Sequence, residues 1–190
     1  MKRTSFIATL ITLISTPGWS HVRIKKGLFQ SFIEGFKIQA GTGRIHGHIQ
    51  LKGVNSNILD MKVSGKDTNG ALAMFEQTSL SQGKGTPLHI HHTQDEIFYI
   101  LEGDYYFQVG DKKYNLSKGD SIFLPRTIPH AWTQASKTGK MTVILQPAGK
   151  LEEFFVTVAA LDHEPAAAEM AKIFADHEMQ VVGPPLKLPH

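Results

Sequence analysis

The chain has no cysteine among its 190 residues. Disulfides, thiolate nucleophiles and cysteine-held zinc or iron–sulfur centres are therefore excluded, and redox compartment stays open. No basic cluster with interleaved aromatics occurs, so nucleic acid is not an expected partner. The net charge of +3 agrees, since it falls by two, to +1, without Lys2 and Arg3. No apolar run reaches the roughly 20 residues that a membrane span needs. Helical periodicity is missing between residues 30 and 147. What remains is an apolar share of 41% and a charged share of 19%, the proportions of an ordinary globular domain, with 17 glycines and nine prolines to make turns.

Residues 1–20 begin with Lys2 and Arg3, continue through the apolar run Phe6–Ile14 and leave through Pro17, Gly18 and Ser20. Those are the parts of a secretory signal peptide, with cleavage expected after Ser20. The expected location is periplasmic or secreted; a cytoplasmic protein with a loose N-terminal arm is the alternative. From residue 21 to about 160, short alternating segments recur every ten residues or so, separated by turn residues such as Asp67, Asn69 and Gly70. This spacing is the signature of an antiparallel sandwich or barrel. Residues 161–190 form a helix and tail. Pro165 opens the helix, Ala166, Met170, Ile173 and Phe174 share one face, and Gly183-Pro184-Pro185 ends any continuation.

The densest chemistry lies in Gly83–Gly103, GKGTPLHIHHTQDEIFYILEG. His89 and His91 are two residues apart, so in a strand both imidazoles project from one face. Glu96 follows across a bend, and His130 is a candidate fourth ligand from further along. Imidazole nitrogen with carboxylate oxygen suits borderline divalent transition metals. His46 and His48 repeat the spacing but lack a following carboxylate, and Gly47 loosens the strand between them, so an exposed polar strand is expected there.

In pattern, Gly83, His89, His91, Glu96 and Gly103 match the first motif of the cupin superfamily at every specified position, G(X)5HXH(X)3,4E(X)6G. Gly119, Pro125, His130 and Gln134 resemble the second, G(X)5PXG(X)2H(X)3N. Thr127 stands where the family has glycine and Gln134 where it has asparagine. The resemblance covers residues 71–147. It implies an all-β cupin jelly-roll barrel, a double-stranded β-helix, with a C-terminal α-helix packed outside. It also implies one divalent metal ion held by His89, His91, Glu96 and His130; iron, manganese, nickel, copper, cobalt and zinc all accept such a set.

Strand phase then places Phe98 and Ile100 with Glu96, and Trp132 and Gln134 with His130, as pocket-lining residues. His92 is out of phase and belongs at the rim. Ile97, Tyr99 and Leu101 make the opposite face apolar too, and a homodimer would cover it. The tail Val181–Leu186 and the single domain resemble quercetin-dioxygenase-type cupins, which implies a dioxygenase acting on a flavonol-like or enediol small molecule, with Glu96 as ligand and proton acceptor. A non-catalytic metal-dependent binding protein and a metal-dependent isomerase or decarboxylase are the alternatives.

Overall fold

In the computed structural model, residues 34–51 and 55–189 are described. The proposed signal peptide, residues 1–20, lies outside them. The chain runs through β1 (His48–Gln50) and β2 (Ile58–Val63), then through a 3-10 turn at Gly65–Thr68 into β3 (Ala73–Ser79). Ser64 caps that turn: its backbone N–H donates to Asp67 Oδ2 at 2.9 Å and its hydroxyl accepts from Lys66 N–H at 3.2 Å. Next come β4 (Pro87–His91) and β5 (Asp95–Glu102), then β6 (Tyr105–Val109) and β7 (Lys112–Leu116). The last strands of the run are β8 (Ser121–Leu124), β9 (His130–Gln134) and β10 (Gly139–Gln146). Two helices follow, α1 (Leu151–Ala159) and α2 (Ala167–Asp176), before β11 (Met179–Pro185) closes the chain.

The strands form two antiparallel sheets, ordered β1-β2-β3-β10-β5-β8 and β11-β4-β9-β6-β7. From β3 onward the chain crosses between the sheets at every connection except β6 to β7, the jelly-roll arrangement of the cupin fold implied by the sequence. Alternation decides what points inward. On β3, Ala73, Phe75, Gln77 and Ser79 are buried while their neighbours are half-covered. Phe98, Ile100, Phe107, Leu124, Met141 and Leu145 meet them between the sheets. Gly85 sits where a Cβ would collide with the Trp132 carbonyl, so glycine lets β4 enter this close to β9. No helix among the described residues is long and apolar enough to cross a membrane.

The C-terminal segment is richer than its sequence suggests. The helix expected to open at Pro165 is Ala167–Asp176, and a second helix, Leu151–Ala159, precedes it. The residues after them are a strand: Val181 pairs with His89 and Met179 with His91, so β11 lies directly on the strand that carries the two histidines. Gly183 and Pro185 sit at register shifts of that pairing, so they bend a strand where the sequence reads as a stop.

Candidate metal centre

His89 and His130 are direct register partners on β4 and β9, and His91 lies one same-face step from His89. Glu96 comes from β5 in the opposite sheet, after the short bend at residues 92–94. Three imidazoles from one sheet thus face a carboxylate from the other. One ligand atom from each of His89, His91, Glu96 and His130 lies within 4.8 Å of all the others, and all four residues are buried. Glu96 Oε2 is 3.4 Å from His130 Nε2 and 3.8 Å from His91 Nε2.

Each imidazole is oriented by a bond on its far side. His89 Nδ1 meets the Pro87 carbonyl at 2.8 Å, His130 Nδ1 the Ile128 carbonyl at 3.0 Å, and His91 Nδ1 the Gln94 Oε1 at 3.0 Å. A carbonyl oxygen only accepts, so Nδ1 carries the proton and Nε2 turns its lone pair toward the centre. Burial is the main cause that pushes His89 well below the ordinary imidazole range, helped by His130 and His91 beside it. Burial lowers His91 too, against the opposing pull of Glu96. Both rings are therefore neutral, the form that ligates a cation. His130 Nε2 has no hydrogen-bond partner among the described residues. A buried acceptor without a partner, aimed at a carboxylate and two further imidazoles, is what a divalent transition metal fits.

Two supports of the site carry no motif signal. Gln94 accepts from His91 and passes its own amide hydrogen to the Ala148 carbonyl at 2.7 Å, while a Cβ at Gly149 would collide with it. Gln94→Leu should weaken metal binding by roughly 10- to 100-fold, because His91 loses the bond that fixes its tautomer. Competition titration with a chelator measures this, and unchanged affinity would show that Gln94 positions nothing. The second support is Arg126. Its backbone N–H and Nε reach Asp95 Oδ1 at 2.8 and 3.1 Å, and its Nη2 reaches Oδ2 at 2.6 Å. That fork holds the Asp95 carboxyl below its usual range and ties the loop before His130 to the residue before Glu96. In the same loop Thr127 takes the left-handed conformation, φ 65°, where the motif has glycine. Its N–H donates to the His91 carbonyl at 2.8 Å, so the strained residue helps hold β9 against β4.

Beside the centre lies a cavity of about 90 Å³. Phe98 and Trp132 line it, as do His89 and Glu96. Ile100 and Gln134 share the expected phase but are placed elsewhere. Ile100 is sealed in the core, and Gln134 ties loops together, its amide donating to the Ser79, Ser136 and Lys137 carbonyls. Much of the remaining wall comes from α1 and α2, through Phe154, Phe155 and Phe174. Phe174 stands edge-on to His89 with centroids 5.1 Å apart, and Phe154 edge-on to Phe174 at 4.9 Å. His92 is exposed. His46 and His48 engage Glu152 and Asp60 separately, at 3.3 and 2.6 Å, and form no second cluster with the spacing of a metal site among the described residues.

Residues 77–145 match the family model described as "Cupin domain". A stretch of 48 residues is 44% identical to an uncharacterized protein of Methanocaldococcus jannaschii, covering 25% of this chain and only 38% of that relative. An RmlC-like cupin from Shewanella frigidimarina is similar in structure with a TM-score of 0.48 and 19% identity, over 61% of this chain and 93% of that one. KdgF from a Halomonas species aligns with a TM-score of 0.42 and 16% identity, over 48% and 78% of the two chains.

Proposed function

We propose that this chain, in which residues 77–145 form a cupin domain, is a metal-dependent dioxygenase acting on a small enediol or catechol-like substrate. The observation that carries the reading is the make-up of the cavity wall. Apart from His89 and Glu96, no titratable side chain is among its described lining residues, and aromatic and aliphatic groups dominate. An isomerase that moves a proton between two carbons is best served by a further acid–base group, and none of the described residues brings one to this cavity. A bound divalent metal supplies a Lewis-acidic anchor for a substrate oxygen and a position for dioxygen beside it.

The chain's own residues do the remaining work. Glu96 presents a carboxylate at the anchoring point and takes the proton that an enol or phenol gives up there. Phe98, Trp132 and Phe174 exclude water from the reacting face and offer flat surfaces to a planar substrate. Size narrows the class. A leucine-lined cavity that takes benzene measures about 150 Å³, larger than the space here, so a single ring enters only with a small outward shift of the aromatic wall and a flavonol only if α1 and α2 swing aside. Export after Ser20 and pairing of two copies through β5 and β8, where Tyr99 and Phe123 are 45% and 56% exposed, belong to the same proposal.

The test is dioxygen consumption by metal-replete protein offered catechols, small enediols and 3-hydroxyflavone. Uptake is expected with the single-ring and enediol compounds and is expected to be far slower with the flavonol. Tight binding of these compounds without any uptake would sink the dioxygenase and leave a metal-dependent binding protein.

A further inference from the structure

Three buried polar side-chain atoms have no hydrogen-bond partner among the described residues: Asn57 Nδ2, Glu76 Oε1 and His130 Nε2. Two of them face charges or ligands. Glu76 Oε1 lies 3.6 Å from both Lys62 Nζ and Lys140 Nζ, and His130 Nε2 belongs to the metal centre. Asn57 Nδ2 has neither, although the residue is only 1% exposed. A buried donor left unmade costs more than an ordinary hydrogen bond returns, so such groups call for a partner. Turning the amide over does not remove the problem. Asn57 Oδ1 accepts from the Leu80 N–H at 2.9 Å, which fixes the oxygen there and leaves the nitrogen as the free end.

Asn57 also lines the cavity that reaches His89 and Glu96. Strand register places it at the far end. Glu96 is level with Leu145 and Ala73, whereas Gln77 is level with Met141 and Ile100. Four residues of β3 separate those two levels, roughly 13 Å at about 3.3 Å per residue. Asn57 lies beyond Gln77, where Leu80 follows β3. Gln77 is occupied in its own way, its amide donating to Ser79 Oγ at 2.8 Å. Between the two ends the wall is Phe98, Trp132 and Val143.

We infer that Asn57 is a substrate-recognition residue, whose amide donates to an acceptor oxygen (carbonyl or ether) at the end of the substrate remote from the metal. This rests on the cavity being the substrate chamber. It sharpens the substrate class to a single-ring catechol or an enediol whose metal-ligating oxygens lie at one end and whose acceptor oxygen is carried on a substituent long enough to reach the other. Because the amide is already stripped of water, an acceptor gains a bond there at little desolvation cost on the protein side.

Acetophenone and α-methylstyrene, nearly identical in shape but differing as C=O against C=CH2, probe this directly. Ligand-observed NMR titrations of metal-replete wild type, Asn57→Ala and Asn57→Asp give the ratio of their dissociation constants. Water transfer favours the styrene in every protein alike, so the change in ratio isolates the amide. Both variants are expected to weaken acetophenone about tenfold relative to α-methylstyrene, with the styrene affinity itself unmoved. Asn57→Asp keeps an acceptor for the Leu80 N–H, so a loosened loop cannot produce its effect. A ratio that stays within twofold of wild type in Asn57→Asp overturns the inference, as does failure of wild type to bind either probe. Neither probe can chelate a metal through two oxygens, so absence of dioxygen uptake with enediols would sink the dioxygenase while leaving this ratio to stand or fall alone.

Discussion

His130→Ala is expected to cut bound metal from about one equivalent to under a tenth after dialysis, while barely disturbing the metal-free protein. The two halves of that outcome have separate causes. His130 comes from β9 and is the register partner of His89, so its loss removes the imidazole that joins β9 to the centre. Its Nε2 is buried without a hydrogen-bond partner among the described residues. Deleting the ring loses packing but also removes that unmet acceptor, and the two should leave a net change of about 1 kcal/mol or less. With metal present the variant forfeits the binding linkage instead, about 4 kcal/mol when free metal is a thousandfold above its dissociation constant. Elemental analysis and paired denaturant melts, with and without metal, read both halves. Full occupancy in the variant would refute the ligand assignment. Equal destabilisation in the two melts would mean that His130 is a packing residue.

The centre itself was legible because its chemistry is local. Two histidines separated by one residue and a glutamate across a bend need only strand alternation to converge, and His89, His91 and Glu96 lie within eight consecutive residues. The walls were not. Leu151–Ala159 reads LEEFFVTVA, whose adjacent aromatics and β-branched residues look like strand, and its N-cap, Lys150, makes no side-chain capping bond. Only packing makes it a helix: Phe155 sits edge-on to Phe75, and Phe154 to Phe174. Ile100 and Gln134 illustrate the converse limit. Phase tells which face a residue is on and not how far along the barrel it lies. Ile100 sits opposite Met141, two same-face steps from Glu96, and belongs to the core. Gln94 and Asn57 left no trace in spacing because an amide's meaning depends on which carbonyls and N–H groups the fold brings to it.

Phe174→Ala should cost about 3–5 kcal/mol, a large part of the roughly 5–15 kcal/mol that holds a domain together. The ring is 3% exposed and fills the space between His89 and Phe154, so removing it leaves a void rather than a wetted surface. The consequence for the metal has a definite sign. Burial is the largest cause of the lowered His89 pKa, and Phe174 is part of what buries it. Opening that wall lets water reach the ring, so the pKa rises back toward the ordinary value. A protonated imidazole cannot ligate, and the variant should therefore release metal at higher pH than wild type during acidification. Phe174→Leu restores most of the volume and should recover most of the stability and of the acid resistance. Chemical denaturation gives the first quantity, and metal release followed by a chelating dye between pH 7 and about pH 4, which spans the ordinary imidazole range, gives the second. A variant within about 1 kcal/mol of wild type, releasing metal at the same pH, would mean that α2 merely lies against the centre and plays no part in keeping it dry.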